Sequence, residues 1–294
     1  MIYINQFFSN IQKNLRKLYL NSNIYDKKIS RNINKDFIYK PSPHLFSSLI
    51  QYQKKRFKIH NLKITDLDHD NLSDNEFKKL NSFNWFFSLD LKSSKNIIQS
   101  FIIDWIKVNY KYNSKSWDFD LTSKRIIAWL SCYNLTYEES NQDYKSKFNS
   151  IIQKQTNHLI NEIKKTKLIQ NKLIGCSAII LVGLCFKNEK IYLNFGLEIL
   201  KKITKISLDN SGFPKSRNIK QLIFYLKYFI LIREWFKESQ NQIPEHIDET
   251  IFYLGQSYSF VWQNINTNIF FNGNTNSNND EFDNYLKRLG YKFK

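Results

Sequence analysis

Five histidines, His44, His60, His69, His158 and His246, are the residues best suited to bind a metal or shuttle a proton near neutral pH. They are scattered, with no HxH or HxxxH pair, so a zinc site is not expected. His60 falls in a strand-like stretch and reads as structural; His158 falls on a polar helix face. Cys132, Cys176 and Cys185 are odd in number, form no CxxC and lie in apolar helical stretches. Buried free thiols in a reducing compartment follow from that placement. No glycine-rich phosphate loop or GxSxG elbow occurs, and no cofactor is implied.

The other chemical signal is charge. Forty-four Lys and Arg stand against 26 Asp and Glu, a formal net charge of +18. Such an excess suits an anionic partner: a uronic-acid polymer, a nucleic acid or a membrane surface. It also accompanies a general enrichment in Lys, Asn, Ile and Tyr, residues with AT-rich codons, so charge alone selects no partner. Aromatic and Lys residues are interleaved, but no RRM, KH, OB or helix-turn-helix signature appears, and nucleic acid is not the expected partner. The first twenty residues lack the unbroken apolar stretch of a signal peptide. The longest apolar run, 178–186, is too short to span a bilayer. A soluble, cytoplasmic protein without membrane insertion is expected.

Positioning any such residues falls to helices. Seven Gly and four Pro among 294 residues, with 24 Phe, 17 Tyr and 6 Trp, favour long packed helices over short strands and tight turns. Residues 1–20 read as an amphipathic helix. Residues 21–75 are mixed, broken at Pro41 and Pro43, with short extended pieces at 37–40 and 58–64. From about residue 76, helical stripes recur: Ile98, Phe101, Ile102 and Trp105; Ile126, Trp129, Leu130 and Tyr133; Phe148, Ile151, Ile152 and Leu159; Tyr192, Phe195, Ile199, Ile203 and Ile206; Ile247, Ile251, Leu254, Tyr258 and Val261. Between them, 174–186 and 219–236 are apolar on nearly every face. Alternation of one-faced and all-round apolar helices, joined by short connections, predicts two layers of antiparallel neighbours. The expected fold is mainly α: an incomplete α/α toroid over 76–270, behind a small irregular N-terminal segment with short strands over 1–75. A plain bundle or solenoid is the alternative. Residues 271–294 read as a polar, Asn-rich tail opened by the Asn272-Gly273 turn signal.

Several segments together resemble the heparinase II/III-like polysaccharide lyases. Phe57-Lys58-Ile59-His60-Asn61 is similar to a short Phe-x-Phe-x-Asn strand ahead of the family's toroid. Residues 83–89, Phe-Asn-Trp-Phe-Phe-Ser-Leu, are similar to its aromatic-Asn-x-x-aromatic helix start. Trp117 with Arg125-Ile126-Ile127-Ala128-Trp129-Leu130 resembles its Trp…Arg-Ile-x-Asn-Trp-Leu helix. Asn171-Lys172-Leu173-Ile174 leading to Gly183-Leu184-Cys185-Phe186 resembles Asn-His-Leu-x…Ala-Gly-Leu-Phe-Phe. Asn210-Ser211-Gly212 followed by Ser216-Arg217-Asn218 resembles Asp-Gly…Arg-Ser-Pro, and Phe271-Asn272-Gly273 the end of the toroid. The resemblance spans roughly residues 55–275 and rests on order and spacing rather than on one motif.

The resemblance implies β-elimination on a uronic-acid-containing polysaccharide and a large C-terminal β-sandwich after the toroid; by that resemblance the sequence is either a natural truncation or has its other half encoded separately. Elimination needs a cation or amide to neutralise the uronate carboxylate, a base for the adjacent C–H proton and an acid for the leaving oxygen. Asn171 matches the family's Asn. Lys172 stands where its His is expected, and Gln221 about where its Tyr is expected. Asn171 and Lys172 together can still hold a carboxylate. Tyr225, one turn after Gln221 on the same face, is the candidate acid/base, against a reading as a core aromatic. Arg217, ahead of an inner helix, is a candidate carboxylate clamp or a solvated Arg. Asn84 and Trp85 are candidate cleft residues, against a reading of Trp85 as a core aromatic. Arg125 is a candidate substrate contact, or a structural residue packed behind Trp117 and Trp129. The replaced His and Tyr and the missing sandwich leave open a non-catalytic acidic-glycan-binding or scaffold module of the same fold.

Overall fold

The chain folds where its sequence supplies caps and apolar stripes. A computed structural model describes residues 2–30, 36–50, 72–89, 95–187, 190–263 and 280–291. The helices are α1 (Ile2–Leu20), α2 (Asn23–Ile29), α3 (Pro43–Ile50), α4 (Asp74–Asn81), α5 (Lys95–Asn109), α6 (Phe119–Ser131), α7 (Tyr133–Thr136), α8 (Gln142–Glu162), α9 (Ile169–Cys185), α10 (Lys190–Ser207), α11 (Ile219–Glu238), α12 (Glu245–Gln263) and α13 (Asp280–Arg288), with a 3-10 turn at Asn84–Ser88. Ser73 and Glu76 form a reciprocal capping box at α4. Asp118, Asn141 and Asn218 accept from the first free amides of α6, α8 and α11. The fold is mainly α, as the stripes predict, and each stripe named from residue 98 onward lies on a helix, the second running from α6 across into α7.

The two-layer arrangement is visible in close contacts. A Cβ on Gly183 would fall 2.6 Å from the Leu193 backbone nitrogen, and one on Gly196 would fall 2.5 Å from Ile180. The Cys176 thiol donates to the Gly196 carbonyl at 2.9 Å. Contacts that step forward along α9 and backward along α10 define an antiparallel pair, brought together by two glycines. α9 is the inner member: from Leu173 to Cys185 nearly every residue is buried, whereas α10 leaves Ile191 and Ile206 exposed. α9 also packs against α6 and α11, and α11 against α12.

α8 departs from the amphipathic plan. Its sequence looks polar, yet Asn149, Gln153, Lys154, Gln155, Thr156 and His158 are all buried. Each buried charge or ring nitrogen is met. Lys154 Nζ donates to the Tyr110 carbonyl at 2.9 Å, pairs with Asp26 at 2.7 Å and lies 3.7 Å over the Tyr110 ring. His158, expected on a polar face, sits between the Tyr25 hydroxyl at 2.7 Å and the Trp117 carbonyl at 3.1 Å. A carbonyl can only accept, so Nε2 carries the proton and Nδ1 accepts from Tyr25. Burial depresses the His158 pKa to about 3, against a smaller upward pull from the Trp117 carbonyl.

Two expectations at the ends need correction. Phe37 forms a single antiparallel bridge to Phe186 instead of a strand: Ile38 and Tyr39 both donate to the Cys185 carbonyl, the Lys187 amide donates to the Asp36 carbonyl at 2.9 Å, and the pairing goes no further among the described residues. Residues 58–64 lie outside the described residues. The tail is not simply polar: in α13, Phe282 and Leu286 are buried, Tyr258 donates to Asp283 at 2.5 Å, and Tyr291 donates to Glu234 at 2.8 Å. Aromatic hydroxyls and two apolar side chains return this segment to the core.

Gly183→Ala is expected to cost about 1–3 kcal/mol in denaturant unfolding, because the obstructing atom is helix backbone that yields only if α9 and α10 separate. Acid should act through His158. Its folded pKa lies below the unfolded value of about 6.5, so its penalty is absent above pH 6.5 and grows as pH falls toward 3, by about 1.4 kcal/mol per unit. His158→Gln should flatten that limb of a stability-versus-pH curve.

Candidate functional site

Three inner helices start at the same end of the molecule. Gly175, one turn after Asn171, faces the Phe119 ring and Ser123 at the beginning of α6. The α9–α10 register runs the last turn of α10 back toward the first turn of α9. From there the chain doubles over: Lys215 N donates to the Ser207 carbonyl at 2.9 Å, and Tyr225 bonds Ser207 from two turns into α11. Tyr228 of α11 lies within electrostatic reach of Asp120 in the first turn of α6. The starts of α6, α9 and α11 therefore share one end, which brings Asn171, Lys172 and Gln221 to it, with Arg217 in the preceding turn.

Those starts differ in charge. The first amides of α6 are satisfied by Asp118, and Asp120 is paired with Lys124 at 2.5 Å. Those of α11 are satisfied by Asn218 at 2.9 and 3.4 Å. α9 has no side-chain cap, its N-cap residue being Leu168, and no acid in its first turn. Its leading amides and the positive end of its dipole thus stay open. Asn171 and Lys172 sit there half-buried, and neither side chain has a hydrogen-bond or ionic partner among the described residues. An amide, an ammonium and uncapped backbone N–H groups form a ready receptor for a carboxylate or sulfate.

The remaining candidates are spoken for. Arg217 adopts left-handed backbone at φ 58°, pairs with Asp209 at 2.5 Å and lies 5.6 Å from the Phe213 ring. It braces the turn into α11 and remains exposed. Gln221 is half-buried and accepts from Ser216 at 2.6 Å. Tyr225, proposed as the acid/base, is only 2% exposed, and burial raises its pKa. A reacting group must touch substrate, so Tyr225 reads as a core aromatic.

Arg125 and Trp85 follow the structural and core readings that the sequence also allowed. Arg125 is fully buried, and its guanidinium donates to the Asn81 and Ser116 carbonyls at 2.9 Å, to Thr122 at 3.2 Å and to Gln155 at 3.3 Å. It stacks 4.1 Å from the Trp105 ring. Burial lowers its pKa to about 9, with Asp118 pulling it back up. Trp85 is buried against Phe83, Phe86 and Phe101, its indole N–H donating to the Leu80 carbonyl at 3.0 Å. Asn84 is half-buried, and its Oδ1 has no hydrogen-bond partner. The 3-10 turn follows Phe83, whose ring meets Trp129 late in α6 at 5.2 Å. Ten residues, roughly 15 Å of helix, separate Trp129 from Phe119, so Asn84 and Trp85 are not gathered with Asn171. The missing cap on α9 was readable in advance as Leu168 where a Ser, Asp or Asn would stand, a signal that motif reading passed over.

Among the described residues, no group of three or more His, Cys, Asp or Glu is placed to hold a metal ion. All three cysteines are free and buried, and burial raises each thiol pKa. No described helix is long and apolar enough to cross a membrane.

No protein-family profile and no curated protein matches this sequence. Two solved structures share its fold. Heparinase III superposes with a TM-score of 0.58 at 16% identity, over 89% of this chain and 47% of that one. The heparan sulfate lyase HepC from Pedobacter heparinus superposes at 0.56 with 12% identity, over 90% of this chain and 48% of that one. The chain thus spans about half the length of these structures, and its helices have the toroid-like arrangement of a heparinase fold. The likeness of residues 57–61 and 271–273 to family motifs lies outside the described residues.

Removing Arg125 should test its structural role. Arg125→Met leaves several buried acceptors unpaired, at about 1–3 kcal/mol each, so a loss of more than about 3 kcal/mol is expected in chemical denaturation. Arg125→Lys should recover little of it, because an ammonium lacks the planar fork.

Proposed function

We propose that this chain is the helical half of a lyase-like protein and takes an acidic, uronic-acid-containing polysaccharide at the end where α6, α9 and α11 begin. The single observation that carries this reading is the open start of α9. Asn171 and Lys172 stand there without a side-chain partner among the described residues, on a fold shared with two enzymes whose names refer to heparin and heparan sulfate. In chemical terms, the Lys172 ammonium and Asn171 amide would neutralise a uronate carboxylate, which acidifies the neighbouring C–H. Arg217, exposed although braced by Asp209, can meet a second acidic group along the polymer.

The same residues argue that elimination is not completed here. A protonated Lys and an amide are poor bases. Tyr225 stays protonated and enclosed. A base and an acid would have to come from a further domain, such as a β-sandwich, in the same or another polypeptide. The chain by itself therefore binds acidic glycan without turning it over.

Titration calorimetry with heparan sulfate oligosaccharides should show binding that weakens as salt rises. Lys172→Ala should reduce affinity about tenfold and Lys172→Arg much less, with unsaturated uronate absent from the ultraviolet spectrum in every case. Equal affinity for a neutral glucan, or indifference to Lys172→Ala, would sink the proposal.

A further inference from the structure

The N-terminal helix turns an aliphatic stripe outward. On α1, Ile11, Leu15 and Leu18 recur at i, i+4 and i+7, the spacing of one face, and all three are exposed, Leu15 by 61% and Leu18 by 69%. Tyr19 and, just beyond the helix, Ile24 extend the exposed apolar surface. The body holds α1 from its other side: Arg16, roughly opposite the stripe, pairs with Glu162 at the end of α8, and Leu20 is buried at the junction with α2. A row of Ile and Leu facing water beside a polar attachment face is not what a helix seeking this protein's core would present.

Charge identifies the occupant. Residues 1–30 contain five basic side chains, Lys13, Arg16, Lys17, Lys27 and Lys28, and one acid, Asp26. Asp26 is already paired with the buried Lys154. Glu162, the acid nearest α1, is shared between Arg16 and Lys165. Lys165 is held below its ordinary pKa by its own burial and by Arg16 and Lys28, which marks a patch of uncompensated positive charge. A second copy would bring the same charge against it. The stripe is also a straight row of aliphatic side chains on a helix attached at one end, a shape that needs a yielding apolar layer beneath anions.

We propose that α1 is an interfacial helix that docks this protein onto an anionic lipid bilayer. Ile11, Leu15 and Leu18 enter the acyl boundary, and Lys17 beside the stripe, with Lys27 and Lys28 beside Ile24, reach the headgroups on their long stems. It lies on the membrane without crossing it. This goes beyond the glycan reading and does not depend on it.

The test is co-sedimentation of the full chain with phosphatidylcholine vesicles, with and without phosphatidylglycerol. Binding is expected to the anionic vesicles only, and to weaken with salt. The triple variant Ile11→Asn, Leu15→Asn, Leu18→Asn should lose it by roughly tenfold or more, with an unchanged unfolding midpoint. Lys27→Gln with Lys28→Gln should weaken it by several-fold. Three results would overturn the proposal. The first is no sedimentation with anionic vesicles, or sedimentation unaffected by the triple variant. The second is a lowered unfolding midpoint in that variant, which would mean that another part of this chain covers the stripe. The third is a concentration-dependent dimer abolished by the variant, which would assign the stripe to a second copy.

Discussion

A buried guanidinium without a carboxylate partner sets the arrangement of the helical core. Arg125 ties together the last residue of α4, the loop before α6, α8 and the face of Trp105 on α5, through four hydrogen bonds and a ring contact. Withdrawing a charge from water is costly, and only a full set of acceptors makes the position tolerable. The acceptors must therefore arrive together: Asn81, itself held by the Trp105 indole at 2.9 Å, the Ser116 carbonyl, and the Gln155 amide from a helix that otherwise looks solvent-facing. This demand explains why α8 carries polar residues inward. His158 and Lys154 continue the same polar seam to Trp117, Tyr25 and Asp26.

That seam fixes where α6 and α8 lie, and glycines then decide how closely the rest can follow. Gly175 lets α9 rest on the Phe119 ring at the start of α6, while Gly183 and Gly196 let α10 lie almost in backbone contact with α9. With α11 doubled back beside them, the inner helices present their positive ends together. Local sequence then decides which end is open. Asp118 and Asn218 close two of them, and Leu168 leaves the third for an anion. The candidate site thus follows from which helix lacks a cap, on a scaffold whose parallel inner starts are a property of the toroid.

Both ends of the chain are added to this scaffold in contrasting ways. The C-terminal α13 is latched by Tyr258 to Asp283, Tyr291 to Glu234, and Lys227 lying 4.8 Å over the Phe282 ring. Its apolar residues face inward. The N-terminal α1 is held by its polar side and keeps its apolar side outward. Similar amphipathic segments therefore serve opposite purposes, according to which face the body engages.

Helix positions between residues 95 and 263, the inner character of α9 and α11, and the toroid-like class were legible in the sequence; α2, α3 and α13 were not, and Pro43, read as a breaker, instead opens α3. The legible features depend on the period and continuity of apolar residues, which local spacing records directly. The candidate pair Asn171 and Lys172 at the uncapped start of α9 was legible as a motif. The placement of the other candidates was not: Arg125, Trp85 and Tyr225 admit both cleft and core readings, because residue type and helical spacing do not state which side of a two-layer wall a side chain faces. The inward polar face of α8 and the outward apolar face of α1 were decided only in the tertiary structure. There, long-range partners such as Gln155 for Arg125, Trp117 for His158 and Glu162 for Arg16 settle which face is buried, and no local pattern encodes a partner 30 or more residues away.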